Sequence, residues 1–315
     1  MTAQHDATAQ PQLNYWAEEP RLHRWGHIAI PLSNNRIAVH GGYGREGKKL
    51  RRLDDVVIVS KGAVTPRDAS PRPKARERHG AAPMNGGTAF LMHGGRAGNA
   101  FGDVWRWDDP GAWTELYCEG AAPAPRWAHA FVALAANAFL VTGGRGDAGD
   151  LPDDAHVLDA ASMAWSRVAP PAFLVAFACA TSDGQTIAFG GGRASCFADR
   201  TWGELALDEE AAAASRRLAP CVSATSRPGE LVIAGGVPAE EGEVAGVSVF
   251  RIGGDALTCV AEAPLDLLRA YPVHAAVTRS GDGVVIFGGG APCLSFAPVF
   301  GDCVSVAYGS DGARI

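Results

Sequence analysis

Nine histidines, seven cysteines and several acidic pairs are the residues of this chain that could do chemistry. A metal site needs such side chains grouped so that they converge, as in H-E-x-x-H or paired C-x-x-C. The histidines stand at 5, 23, 27, 40, 79, 93, 129, 156 and 274, and none of those spacings occurs. The cysteines (118, 179, 196, 221, 259, 293, 303) are odd in number, scattered, and mostly inside apolar runs. That is the pattern of buried reduced thiols in a cytosolic protein. Residues 144–149 spell G-x-G-x-x-G, but a dinucleotide site requires a helix next, and Asp150 to Asp154 read as a loop. No G-x-S-x-G elbow and no P-loop is present. The acidic pairs Asp54–Asp55 and Asp153–Asp154 recur at equivalent places and read as strand starts rather than as a general acid and base. No catalytic residue, metal or cofactor is therefore expected.

Charge is the more informative signal. The chain of 315 residues carries −6 overall, yet residues 1–80 carry +6 and residues 81–315 carry −12. Two segments hold most of the positive charge: Arg45, Lys48, Lys49, Arg51 and Arg52, then Arg67, Arg72, Lys74, Arg76 and Arg78. A patch of Arg45, Lys48, Lys49, Arg51, Arg52, Arg72, Lys74 and Arg76 could receive phosphates or an acidic protein segment. No aromatic residues alternate with these charges along the sequence, as they would in a single-stranded RNA platform. The acidic remainder argues against general nucleic-acid binding.

The elements that must position these residues come from a repeat. Six apolar runs end in a glycine pair: Gly41–Gly42, Gly94–Gly95, Gly143–Gly144, Gly191–Gly192, Gly235–Gly236 and Gly288–Gly289. Their spacings are 53, 49, 48, 44 and 53 residues. A tight-turn pair precedes each run, for example Asn34–Asn35 and Asn85–Gly86, which joins two antiparallel strands. Another apolar strand lies upstream, marked by His27, His79, His129 and His274 in four copies. Arg24, Arg76 and Arg126 each stand three residues before a histidine, and these histidines are expected to bond nearby backbone. A third strand follows the glycines, often opened by an acid such as Asp55, Asp103 or Asp154, and a fourth carries Trp113 and Trp165 in two copies. With 39 glycines and 20 prolines, short strands and many turns are favoured over helices.

Period, glycine pairs and register resemble the kelch family over nearly the whole chain. That resemblance implies an all-β fold, a six-bladed kelch β-propeller, in which packing the sheets around an axis leaves only short edges. The last repeat lacks a fourth strand, whereas residues 13–18 supply a surplus one. They are expected to complete the last blade and close the ring. Residues 1–12 then form a flexible tail and 13–315 a single domain. Trp16 stands at about the same distance from its next blade as Trp113 and Trp165 do from theirs.

The last repeat carries a narrower resemblance. Gly288, Gly289, Gly290, Ala291, Cys293, Ser295, Phe296 and Phe300, preceded by Arg269 and His274, resemble the closing kelch segment of the tRNA wybutosine-synthesizing methyltransferases, relatives of leucine carboxyl methyltransferase. Leu294 and Ala297 depart from that pattern. The resemblance implies a role in making wybutosine, the modified guanosine of phenylalanine tRNA. Catalysis in that family belongs to a methyltransferase domain that this sequence does not show, so what carries over is a non-catalytic binding module. Its expected partners are a protein, such as a separate methyltransferase, and tRNA. A generic kelch adaptor for protein–protein interaction, or a small-molecule enzyme on the same scaffold, are the competing readings. No apolar run reaches the ~18 residues of a membrane span, and no signal peptide is visible at the N-terminus. A cytoplasmic monomer is expected.

Overall fold

The computed structural model describes residues 13–16, 19–47, 49–60, 63–67, 69–239, 246–264, 276–280, 283–289 and 303–307. Their strands form six four-stranded antiparallel units. Blade 1 is Ile28–Leu32, Arg36–His40, Val56–Ser60 and Ala63–Arg67. Blade 2 is Gly80–Met84, Ala89–His93, Val104–Asp108 and Ala112–Leu116. Blade 3 is Ala130–Ala135, Ala138–Thr142, Ala155–Asp159 and Ala164–Val168. Blade 4 is Phe177–Ala180, Thr186–Gly190, Arg193–Ala198 and Thr201–Leu207. Blade 5 is Cys221–Ala224, Glu230–Ala234, Gly246–Gly253 and Ala256–Pro264. Blade 6 is Ala276–Ser280, Gly283–Phe287, Cys303–Ala307 and the N-terminal strand Leu13–Trp16. The first strands of successive blades touch in a closed cycle, with blade 6 against blade 1. This is the architecture of a β-propeller.

The N-terminal strand closes the ring as expected, with Leu13 opposite Val306 and Trp16 opposite Cys303. It is described over Leu13–Trp16; residues 17 and 18 of the expected strand, and the expected tail 1–12, lie outside the described residues. Trp16 does not take the place of the other two tryptophans. Trp113 and Trp165 face Trp107 and Leu158, each the fourth residue of its third strand, whereas Cys303 is the first of its own. A second departure is the helix Glu209–Arg216 between blades 4 and 5. Asp208 caps it by accepting the Ala211 N–H at 2.9 Å, and Ala211 and Ala214 pack it down.

The second strands are apolar without alternation because both sheet faces are covered. In blade 1, Ile37, Val39, Val57 and Val59 face blade 6, where they meet Val285 and Phe287. Ala38, Val56 and Ile58 face blade 2, where they meet Phe90, Met92 and Trp107. Each of the six boundaries between blades has such a core cluster. The turn expected in blade 1 is present: Asn34 and Asn35 both take positive φ (60° and 52°), the conformation of a tight hairpin.

All six glycine pairs share one backbone conformation, left-handed at both residues. At Gly95 (φ 90°) a Cβ would stand 2.7 Å from the Cβ of His79 and 2.9 Å from the Glu77 carbonyl. The conformation aims the pair at the next blade. The Gly42 N–H donates to the Arg76 carbonyl at 2.8 Å, and the Gly95 N–H to Arg126 at 2.9 Å. The Gly289 N–H donates to Arg24 at 3.0 Å, so the same bond crosses the junction of blade 6 with blade 1.

Each of these arginines then turns its side chain into its own blade. Arg24 holds Asp55 through two bonds of 2.9 and 3.0 Å and donates to the Gly41 carbonyl at 3.0 Å. Arg76 does the same with Asp103 (2.6 and 2.7 Å) and Gly94 (2.9 Å). Arg126 repeats it with Asp154 (2.6 and 2.9 Å) and Gly143 (3.2 Å). All three guanidinium groups are fully buried. The repeated acids are therefore structural, and their chemistry is spent on arginine.

Two outcomes test this account. Deleting residues 1–18 should lower the unfolding temperature sharply while deleting 1–10 should not; equal melting of both truncations would reject closure by Leu13–Trp16. Asp103→Ala leaves Arg76 buried without its carboxylate and should cost about 3–5 kcal/mol in a denaturant titration; a loss no larger than that of an exposed aspartate would reject the clamp.

Candidate ligand-binding face

The connections after the second strands and those entering the next blade meet on one face of the ring. In blade 1 the first of these is a hairpin, Tyr43–Glu46 with Lys49–Arg52, rather than an open loop. Arg72 of the following connection pairs with Asp54 at 3.2 Å, and Arg52 pairs with Glu77 at 3.3 Å, so the two basic segments do lie side by side. The patch is less charged than its composition suggests. Arg51 pairs with Glu46 at 2.6 Å. Arg45, Lys49 and Lys74 are exposed, with no ion pair among the described residues. Lys48 lies outside the described residues. Arg76 does not belong to the patch: it occupies the clamp position and is buried against Asp103.

Arginines and aromatic rings converge deeper on this face. The second residue after each clamp arginine is left-handed: Gly26 (φ 64°), Arg78 (φ 53°), Ala128 (φ 52°), with Ala219 (φ 52°) equivalent in blade 5. The first three are joined, the Arg78 N–H donating to Gly26 at 2.6 Å and the Ala128 N–H to Arg78 at 2.8 Å. The Arg78 guanidinium carbon lies 5.0 Å from the ring centre of Trp25 and 5.1 Å from that of Trp127. Arg96 lies over Trp127 at 4.8 Å, and Tyr43 is 5.6 Å from Trp25. Glu77 is buried beside them, and its Oε1 is shared by Arg52 (3.3 Å) and Arg96 (3.6 Å). Burial holds the Arg78 guanidinium below its ordinary range; Glu77 opposes that shift, while Arg96, Arg145 and Arg52 add to it. Aromatic rings and charge thus interleave in space although not in sequence, because Trp25, Arg78 and Trp127 enter from three successive blades.

Among the described residues no three His, Cys, Asp or Glu side chains cluster as ligands. His79 and His129 bond to side chains of the preceding blade rather than to backbone. His40 Nδ1 meets His79 Nε2 at 3.0 Å, and His93 Nδ1 meets His129 Nε2 at 2.9 Å. His27 lies over Gly288 in the same way, but Phe287 replaces the partner imidazole. Both of its ring nitrogens lack a hydrogen-bond partner among the described residues. His156 sits between Asp154 Oδ2 (3.1 Å) and the Ala121 carbonyl (2.7 Å). His274 lies outside the described residues. The thiols of Cys118, Cys179, Cys196, Cys221 and Cys259 are free, and burial pushes those of Cys179, Cys221 and Cys259 up to about 12, far from a nucleophile's range.

Sequence reasoning missed two things. Arg217 is the clamp arginine of blade 5, donating to the Gly246 carbonyl at 3.3 Å and to Ser248 Oγ at 3.1 Å. Its offset from Gly235 matches that of Arg76 from Gly94, but Pro220 stands where the histidine would have flagged it. The Arg78 cluster was missed as well, although R-W-G-H, R-E-R-H and R-W-A-H at 24–27, 76–79 and 126–129 carried the signal. Of the last-blade motif, Gly288 and Gly289 are placed as described, whereas Gly290, Cys293, Ser295 and Phe296 lie outside the described residues.

Fold and face define a β-propeller with a surface on which half-buried arginines lie against aromatic rings. Residues 8–192 match the KLHDC2/KLHL20/DRC7 Kelch-repeats domain, and the chain belongs to the kelch-repeat family. It is 31% identical over 155 residues to the tRNA wybutosine-synthesizing protein 2/3/4 of Arabidopsis thaliana, covering 47% of this chain and 15% of that protein. Likeness to the protein of that name from Oryza sativa subsp. japonica is 28% over 157 residues (48% and 15%). The flagellar outer-arm dynein alpha chain of Chlamydomonas reinhardtii is 31% identical over 163 residues (46% and 3%). The chain thus spans under a sixth of the length of each of these relatives. Among the described residues, no helix is long and apolar enough to cross a membrane.

The buried histidines set a pH dependence. His27, His40 and His93 are lowered to about 3, and His79 and His129 well below their ordinary value, in each case chiefly by burial. Below about pH 6.5 the unfolded chain takes up protons that the folded chain refuses, so stability falls with pH by up to about 1.4 kcal/mol per unit per histidine. Asp55, Asp103 and Asp154 are shifted down by their arginines against burial, so their contribution is kept above the ordinary carboxylate range and lost only at lower pH. Unfolding free energy should be flat above about pH 7 and fall steeply towards pH 5. His40→Phe, which copies Phe287, should reduce that slope by about one proton; an unchanged slope would show that His40 does not stay neutral in the fold.

Proposed function

We propose that this protein is a non-catalytic kelch binding module that works in tRNA modification, on the route to wybutosine in phenylalanine tRNA. The observation that carries this reading is the likeness, over nearly half the chain, to two proteins named as tRNA wybutosine-synthesizing. The geometry is compatible with it. Asp55, Asp103 and Asp154 are committed to clamps, and His40, His79, His93 and His129 to pairs, inside the propeller. What the open face offers is arginine, lysine and aromatic surface, suited to holding an anionic partner. In this role the propeller acts in the cytoplasm as a monomer, holding tRNA or docking a methyltransferase that performs the chemistry.

A second reading is a general adaptor for protein–protein contact. It is favoured by the equal identity to a dynein alpha chain, whose name implies no RNA. Nucleoside mass spectrometry of phenylalanine tRNA from cells lacking the gene separates the two. Loss of wybutosine with accumulation of an under-methylated precursor is expected; an unchanged nucleoside profile would overturn the tRNA reading and leave the adaptor.

A further inference from the structure

We propose that Arg78, with Arg52, Arg96 and Arg145 around it and Trp25 and Trp127 beside it, forms a binding site for a backbone phosphate of single-stranded RNA. Arg52, Arg96 and Arg145 lie close enough to Arg78 to act on its charge, and Glu77, the carboxylate beside it, is paired with Arg52 and Arg96, so positive charge is in excess here. Glu77 Oε1 is already divided between Arg52 and Arg96. Among the described residues, neither Arg78 nor Arg145 has a carboxylate within ion-pairing distance, and Arg78 Nε is buried without a hydrogen-bond acceptor. A desolvated guanidinium in such a position calls for an oxyanion, which a phosphate supplies with two non-bridging oxygens. The site is open, since Arg145 is exposed and Trp25, Arg78, Arg96 and Trp127 are half-buried.

The aromatic walls favour RNA over an acidic peptide as the occupant. A guanidinium that lies over an indole keeps its N–H edges for the phosphate. The indoles and Tyr43 offer apolar surface to the ribose and base that accompany each phosphate. An acidic peptide brings charge at similar density but nothing to occupy those walls. The kind of phosphate rests on the tRNA reading above; the site itself does not.

The test uses the whole chain and the variant Arg78→Ala. Ala128 already holds the same left-handed conformation in the next blade, so this variant keeps the backbone. Fluorescence anisotropy is measured with a short labelled single-stranded RNA and with a labelled glutamate peptide of equal net charge, over a range of salt. The expected result is RNA binding stronger than peptide binding, weakened about tenfold by Arg78→Ala, with the salt slope reduced by about one. Peptide binding as tight as RNA binding, or no binding of either probe, would overturn the site. RNA binding that Arg78→Ala leaves unchanged would overturn it too, while leaving the tRNA reading intact. If wybutosine is unaffected in the deletion strain but the Arg78 effect holds, the tRNA reading fails and the phosphate site stands.

Discussion

The fold depends on a buried arginine that belongs to two blades at once. Its backbone carbonyl receives an N–H from the glycine pair of the preceding blade, and its guanidinium grips the aspartate and glycine carbonyl of its own. A buried charge of this kind is stable only when well paired, and Arg24, Arg76 and Arg126 each have a two-point carboxylate contact. The glycine pair is the other half of the device. It is left-handed twice over, and it lacks side chains where two segments press on it: the incoming segment of the next blade fills the space a Cβ would take at Gly41 and Gly94, and the entry segment of its own blade does so at Gly42 and Gly95. Arg24, Arg76 and Arg126 use the full clamp, and Arg217 a reduced one in which Ser248 stands in for the acid.

The clamp also explains where a ligand can act. Because Arg and His are fixed three residues apart, the two residues between them are presented in a constant way on one face. Those positions hold Trp25 and Gly26, Glu77 and Arg78, Trp127 and Ala128. The structural pair is constant and the presented pair varies, so function is carried by side chains whose backbone is already held. In blade 1 the presented face is extended by the Tyr43–Arg52 hairpin, which places more cation beside the cluster.

Much of this could be read from sequence because the clamp leaves a linear signature. Glycine pairs, the Arg-x-x-His spacing and the strand-opening acids recur in order, so the blades followed, and the surplus strand expected over residues 13–18 gave the closure. What escaped detection has physical causes. The helix Glu209–Arg216 lies in a connection, where no strand repeat constrains the chain. Arg217 lost its histidine marker to proline. Arg76 counted as a surface cation because composition does not reveal that a guanidinium has an aspartate waiting 27 residues on. The Trp25–Arg78–Trp127 stack exists only once three blades are arranged in a ring, and the alternation of aromatic and charge that defines it has no counterpart along the chain.

Closure by an antiparallel strand pair has a mechanical consequence. Leu13 lies opposite Val306 and Trp16 opposite Cys303, so the outward ends of both strands lie together at one end of the ladder. Tension applied there loads the hydrogen bonds one after another, in the manner of a zipper, instead of all together in shear. The ring therefore opens under force at its own seam, while the bonds that join the other blades remain unloaded. A propeller built this way resists heat through its cores and clamps yet yields to a pull at a single, defined joint.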